Sequence, residues 1–430
     1  MRQPPVLKVL ARAFLTIFWL LSASASSLAG GYAIPQQTAK ALALSNAVTA
    51  GVDDPSAVYY NPAALREIKG NQLLGGLNYI NVISSVENSG LKSRNRENDN
   101  FIPTFFANYH IPESKVTLGL GTYSPFGLAT TYDKDAFTRY ASNEARLRPL
   151  YLNLAAAWSP TDFYSIGGGI SYVHADAKLS RAIYLTTPTD GRAKITASDD
   201  AFAYNLGLLL KHPGHPIKFG FNYRSRTYLN FEGDNVDFVD FDGTPFNTKI
   251  ERGGLVLPTV ISAGIDWQIT RRWSVDFVYD WTKWNDLETL KVIFKSSLPA
   301  LGGAVPIGGI SVSADWKNTS TLRLGSTFHI NDRWDLMGGI ALDETPIPSK
   351  TLGPLIPGAD IFAFNGGASY SWMNLKITAG YMAVFYQTRR VQNEILEAEA
   401  PPALRSPFTP GKDKYKTFNN FVSLSVNYQF

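Results

Sequence analysis

The chain has no cysteine, so no disulfide can brace it and no thiolate can act as nucleophile or metal ligand. Beyond its first residues it lacks any apolar run long enough to cross a bilayer as a helix, and its mean hydropathy of −0.09 agrees. Net positive charge is small too. Of the formal +4, three charges (Arg2, Lys8 and Arg12) sit at the very start, and the remainder carries no basic surplus of the kind a nucleic-acid binder displays. Enzyme signatures are missing: no G-x-S-x-G elbow, no phosphate-binding loop and no H-E-x-x-H helix occurs. The histidines are His110, His174, His212, His215 and His329. His212 and His215 share an HPGH stretch that lacks a third ligand and reads as a solvated turn rather than a metal site. No catalytic residue, metal or cofactor is expected. None of these absences excludes a membrane β-barrel, whose strands alternate apolar and polar residues and so average to neutral hydropathy.

What is present fits that exception. Arg2, Lys8 and Arg12 precede the apolar run Ala13 to Leu21, and Ser27-Leu28-Ala29 offers a cleavage site, so residues 1–29 read as a signal peptide. From residue 70 onward the pattern has period two. In VSLSVNYQF, Val422, Leu424, Val426, Tyr428 and Phe430 oppose Ser423, Ser425, Asn427 and Gln429. Fourteen such segments are placed at 70–83, 100–110, 115–123, 148–158, 163–179, 194–211, 216–232, 255–268, 273–284, 315–330, 334–343, 360–371, 374–388 and 416–430. Alternate connections are short (IPES, SPTD, HPGH, ITRR, NDR, WMN), and the others are long and polar. Aromatics such as Trp158, Trp267, Trp273, Trp281, Trp334 and Phe430 fall at strand ends, where interfacial girdles belong. The expectation is an all-β, fourteen-stranded antiparallel transmembrane β-barrel in a bacterial outer membrane, with residues 70–430 forming the wall.

Residues 30–69 break the pattern. Their first half is rich in Ala, Leu and Gln, which favours helix. Asp54-Pro55 and Asn61-Pro62 each place a capping side chain before a proline at a first helical position. Lying just before the first strand, this stretch is free to fold into the lumen as a partly helical plug, or hatch.

Several motifs in order resemble the FadL family of outer-membrane transporters for long-chain fatty acids and other hydrophobic compounds. They are Asn61-Pro62-Ala63, Phe126-Gly127-Leu128-Ala129-Thr130, Tyr223-Arg224-Ser225, Leu257-Pro258, Trp281-Thr282-Lys283-Trp284 and Asp343-Glu344-Thr345-Pro346-Ile347-Pro348. The resemblance spans about Gly30 to Phe430. It implies a monomer whose N-terminal hatch closes the lumen, with a kinked third strand that leaves a lateral exit into the bilayer. Asn61, Pro62 and Ala63 then form the gating motif, placed against the inner wall near 115–123, and Phe126 and Gly127 shape the mouth at the end of the third strand. A carboxylate ligand needs lumen-side cations, because an unpaired charge in an apolar pocket is costly. Arg146, Arg148, Arg224 and Arg226 are the candidates.

The expected function is passive uptake of hydrophobic molecules, foremost long-chain fatty acids. Partners are a hydrophobic small molecule, outer-membrane lipid and lipopolysaccharide, without nucleic acid. Two other readings stay open: a channel for aromatic or aliphatic hydrocarbons, and a structural or adhesive surface barrel. The stretches 180–193 and 233–254, where the family builds a surface groove, carry modest apolar content (Ile183, Tyr184, Leu185 and Pro188; Phe238, Val239, Phe241 and Phe246), so a well-formed groove is not expected.

Overall fold

A computed structural model describes residues 31–88, 90–96, 99–183, 190–239, 246–298, 307–392 and 412–430. The expected signal peptide lies outside the described residues, as do Tyr184, Leu185, Pro188 and Phe241. Fourteen strands form a closed antiparallel ring: β1 (Gln72–Asn88), β2 (Asp99–His110), β3 (Val116–Tyr123), β4 (Glu144–Trp158), β5 (Tyr164–Ile183), β6 (Gly191–Lys211), β7 (Ile217–Arg224), β8 (Val260–Thr270), β9 (Trp273–Thr282), β10 (Thr319–His329), β11 (Trp334–Asp343), β12 (Ile361–Trp372), β13 (Leu375–Tyr386) and β14 (Lys412–Gln429). Each pairs with the next, and β14 closes on β1 from Gln72↔Gln429 to Glu87↔Lys414. Closure is what lipid demands, since the hydrocarbon supplies no partner for an open edge.

Alternation decides which side chains meet lipid. On β4, Leu150, Leu152 and Leu154 are exposed at 51%, 44% and 66%, while Tyr151, Asn153 and Ala155 are buried. On β14, Val422, Leu424 and Val426 face out and Ser423 and Ser425 face in. The barrel is therefore inside-out: its apolar face meets hydrocarbon and its small polar face meets whatever fills the lumen. Exposed Trp158, Trp273, Trp334 and Phe430 lie at the rim with the short turns. At the other rim the wall rises beyond the apolar band, with further strands at Leu91–Arg94, Leu128–Thr131, Thr227–Asn230, Asn235–Val239, Phe246–Leu257, Thr289–Leu298, Ile307–Ser313 and Arg389–Gln392. Stretches read from sequence as long loops are thus partly strand, because above the lipid both faces meet water or loops and the apolar contrast fades.

Residues 31–69 occupy the lumen. Thr38 caps helix α1 (Ala39–Ala43), helix α2 (Ala57–Tyr60) follows, and Asn61 caps a 3-10 helix at Pro62–Glu67, its side chain accepting from Ala63 N at 3.2 Å. Asp54 instead closes a turn, its carboxylate accepting from Ser56 N at 2.9 Å one step before α2 begins. Wall glycines let this segment approach closely. A Cβ on Gly167 would lie 2.5 Å from the Pro62 carbonyl carbon, and one on Gly207 would collide with the Asn61 carboxamide oxygen and stand 2.8 Å from Pro62 Cδ.

Replacing Gly207 with Val is expected to leave the barrel assembled, as judged by heat-modifiable electrophoretic mobility. Amide exchange across residues 57–67 should rise by about tenfold or more, the effect of losing roughly 1.4 kcal/mol of local stability. Unchanged protection would mean that the segment does not depend on this contact.

Candidate functional site

Around the ring the ladder is interrupted between β2 and β3. Pairing runs from His110↔Thr117 to Phe105↔Thr122, and above it β3 ends at Tyr123, to resume only at Leu128. The stretch Asp99–Thr104 of β2 has no ladder partner on that side among the described residues. On the other flank, β3 pairs with β4 up to Tyr123↔Tyr151, and the next pair is Leu128↔Leu147. Pro103 and Pro149 stand on the two edges of this break and Pro125 lies within it. Prolines are tolerated where a ladder is already broken.

The N-terminal segment takes over the missing pairing from inside. Ala33 bridges Phe126, with Ile34 N donating to Pro125 O at 2.8 Å and Gly127 N to Tyr32 O at 2.9 Å. Gly127 allows this approach, since a Cβ there would meet Ile34 Cδ1 at 2.7 Å. Gln37, fully buried, ties both sides of the break together. Its carbonyl accepts from Thr104 Oγ1 on β2 at 2.8 Å. Its carboxamide accepts from Ser124 N and donates to Ser124 O, both at 3.1 Å. Tyr60 OH in turn accepts from Gln37 N at 2.9 Å. Phe126 and Gly127 therefore lie within the interruption of the third strand, against the N-terminal segment. Gln37 carries no local signature and was not singled out from sequence.

Asn61, Pro62 and Ala63 are seated elsewhere than expected. Asn61 Nδ2 donates to Thr49 O at 2.9 Å and to Leu208 O at 3.1 Å, and Ser165 Oγ donates to Ala63 O at 2.9 Å. The motif thus docks on β5 and β6, where Gly167 and Gly207 make room. The third strand meets Val58 and Leu65 instead, at Gly119.

The arginine candidates separate by strand parity. Arg146 and Arg148 fall in step with Leu150 and Leu152 and so lie on the outward face of β4, not in the lumen. Arg226 is also outward, 4.7 Å over the exposed Tyr228 ring and 3.5 Å from Asp286. Arg224 faces inward but is engaged by the hatch: its guanidinium lies 4.3 Å over the Tyr59 ring and donates to Tyr59 O at 3.3 Å.

A different arginine is in the required place. Arg181 falls in step with Leu179 and Ile183 on the inner face of β5, above the level of Tyr172, where the lipid-facing side chains give way to polar ones. It pairs in register with Ala193, whose other neighbour is Phe238, and the next pairs down are Leu179↔Ile195 and Ile195↔Val236. Ile183, Ala193, Ile195, Val236 and Phe238 belong to one buried apolar cluster that continues down to Tyr32 and Phe126. Arg181 Nε finds no hydrogen-bond partner among the described residues, and burial pulls the guanidinium below its usual pKa. The cluster ends near the kink in an aromatic group, with Tyr32 4.8 Å from Trp284 and Trp284 5.1 Å from Trp316. Among the described residues this apolar interior thus carries a half-buried cation at Arg181 whose Nε is unpaired. Ending the fifth segment at 179 hid Arg181, although a lone arginine in the alternating run Ala175, Ala177, Leu179, Arg181, Ile183 was there to be read.

Replacing Gln37 with Ala removes the two carboxamide hydrogen bonds to Ser124, while the backbone carbonyl that accepts from Thr104 remains, at a net loss of about 1–3 kcal/mol. Amide exchange at 124–127 is expected to accelerate by about tenfold while β7–β12 stay protected. Uniform acceleration around the ring, or none, would contradict the assigned role.

Comparison with known proteins agrees with this architecture. The profile of the outer membrane protein transport family (OMPP1/FadL/TodX) matches residues 20–430. The long-chain fatty acid transport protein of Salmonella typhi is 22% identical over 74% of this chain and 79% of that protein. A Pseudomonas aeruginosa FadL homologue superposes with a TM-score of 0.77 at 18% identity, covering 93% of this chain and all of that one. The Pseudomonas putida toluene transporter TodX does so with a TM-score of 0.71 at 16% identity, covering 94% of this chain and all of that one. The chain belongs to the OMPP1/FadL/TodX family: it is a bacterial outer-membrane channel for hydrophobic compounds, and not an enzyme.

Proposed function

We propose that this channel takes up long-chain fatty acids passively and releases them sideways through the break between β2 and β3, with residues 30–69 as its gate. The observation that carries the reading is the clasp of Gln37 across that break, because it makes the lumen segment and the lateral opening one hydrogen-bonded unit. In this reading Asn61, Pro62 and Ala63 anchor the gate on β5 and β6, while Tyr32 to Gln37 is the part that lets go. Phe126 and Gly127 line the exit. A solute leaving sideways passes from an apolar interior to hydrocarbon without crossing bulk water, so its desolvation is never reversed.

Arg181 favours fatty acids over neutral solutes. A carboxylate there would satisfy a cation that otherwise stays desolvated, and a charge-assisted hydrogen bond contributes about 1.5–3 kcal/mol. The name of the Salmonella typhi relative points the same way. The aromatic group at Tyr32, Trp284 and Trp316 supports a second reading, uptake of aromatic hydrocarbons, which the name of the Pseudomonas putida transporter also suggests.

In proteoliposomes the protein is expected to speed equilibration of a fluorescent long-chain fatty acid and not of a small sugar. Arg181→Gln should weaken fatty-acid binding by about tenfold or more, as the loss of one charge-assisted bond implies, and leave toluene binding unchanged. Equal sugar flux would sink the channel reading. Fatty-acid affinity untouched by Arg181→Gln, with toluene bound well, would replace it with the hydrocarbon reading.

A further inference from the structure

The outer face of the wall is not uniform where it leaves the lipid. Along β1, β13 and β14 the apolar band ends at Ile83, 52% exposed, and Phe385, 48% exposed, with Phe418 paired to both. Immediately above, the side chains in step with them are cationic. Ser85 lies opposite Lys416 on one side and Arg94 on the other, and Glu87 lies opposite Lys414 and Lys92. Arg390, from the strand that extends β13, lies opposite Lys414. Directly opposite residues stand about 5 Å apart and successive outward residues about 7 Å apart, so the five cations share one small area.

Glu87 is the single carboxylate among these described residues, and it is oversubscribed. Lys92 Nζ lies 2.8 Å from it, Lys416 Nζ 3.3 Å and Lys414 Nζ 3.7 Å. The ammonium groups around it, with the Lys92 hydrogen bond leading, hold its carboxyl down at about 2. Lys414 is pulled below its usual value by the adjacent Lys416, whose like charge disfavours its own. The cluster therefore has more positive charge than its own acid can neutralise. The far side of the wall differs in carrying both signs: above Tyr172 the exposed residues of β5 and β6 include His174, Asp176, Lys178, Lys194 and Asp200, with His174 Nδ1 2.8 Å from Asp200 and Arg148 of β4 opposite Asp176.

We infer that this face is a docking surface for the phosphorylated headgroup of a glycolipid in the outer leaflet. Its position selects the partner. The cations sit one residue step above exposed Ile83 and Phe385, at the upper margin of the lipid-facing band and just above the polar row Asn81, Asp99 and Asn420, which is the height of a lipid's headgroup and where a dissolved anion has no anchor. Lysine stems lie along the apolar band while their ammonium groups reach the phosphate. A phosphate monoester accepts from several of them together and relieves their mutual repulsion. Such a seat lies beside the break between β2 and β3 and holds the neighbouring leaflet in a fixed arrangement there.

The test uses the full-length protein in a non-ionic detergent and native mass spectrometry with three probes: diphosphorylated lipid A, the same lipid with its phosphates removed, and inorganic phosphate. The intact protein is expected to bind the diphosphorylated lipid at least about tenfold more tightly than the dephosphorylated one, with inorganic phosphate unable to displace it. The triple variant Lys92→Gln, Lys414→Gln, Lys416→Gln should lose that tenfold preference. Glu87→Gln, which removes the only competing acid of the cluster, should bind as tightly or more so. The single variants Lys92→Gln and Arg390→Gln, each about threefold weaker, carry the comparison if the triple variant does not assemble. Equal binding of both lipids, displacement by inorganic phosphate, or weaker binding by Glu87→Gln would each overturn the assignment.

Discussion

A wall in hydrocarbon must pair every backbone donor and acceptor with another strand, and this wall does not do so throughout. Between β2 and β3 the ladder stops, and Gln37 holds the two edges from inside through Thr104 and Ser124. Much of the interior follows from that constraint. A stretch of chain must lie in the lumen at the height of the kink, its backbone must be extended there to bridge Phe126, and it must be fixed at its other end. The lumen segment does all three, bridging at Ala33 and anchoring at Asn61 through Thr49 and Leu208. Because the same residues complete the wall and fill the lumen, the plug cannot shift at Tyr32 to Gln37 without altering the break.

Close approach and polarity let the plug sit where it does. The inner faces of the strands carry glycine, serine and asparagine rather than large apolar groups, so plug and wall meet backbone to backbone. Ala39 N donates to Ser425 Oγ at 2.9 Å and Asn205 Nδ2 donates to Val58 O at 2.9 Å. Above this level the inner lining turns apolar, and Arg181, whose Nε has no partner among the described residues, stands out in it. A polar seat for the plug and an apolar chamber over it divide the lumen into a part that binds protein and a part that suits a hydrophobic solute.

How much of this was legible depended on where the chain sat relative to lipid. Each of the fourteen ring strands corresponds to one segment read from period-two alternation, because lipid on one face and plug on the other sharpen the contrast between neighbours. The same reading cut strands short at the outer rim. On β1 it stopped at 83, where Ile83 is the last lipid-facing residue and Ser85 and Glu87 follow in the same step. Charge alone points to Arg146 and Arg148 as lumen cations, whereas their parity with Leu150 and Leu152 turns them outward. The break left a trace in Pro103, Pro125 and Pro149, which no single strand would explain. Gln37 left none: a glutamine in an alanine-rich stretch reads as a helix former, and its role exists only through partners 67 and 87 residues away.

The central claim is that the N-terminal segment and the kink move apart for a solute to leave. Ala33 and Phe126 face each other as an antiparallel bridge flanked by two hydrogen bonds. That spacing, about 4.5–5.5 Å between Cα atoms, suits a disulfide. With no native cysteine to interfere, the double variant Ala33→Cys, Phe126→Cys can be locked by oxidation and released by reductant. Fatty-acid flux in proteoliposomes should vanish in the oxidised form and return on reduction. Undiminished flux through the oxidised channel would show that the exit does not depend on this separation.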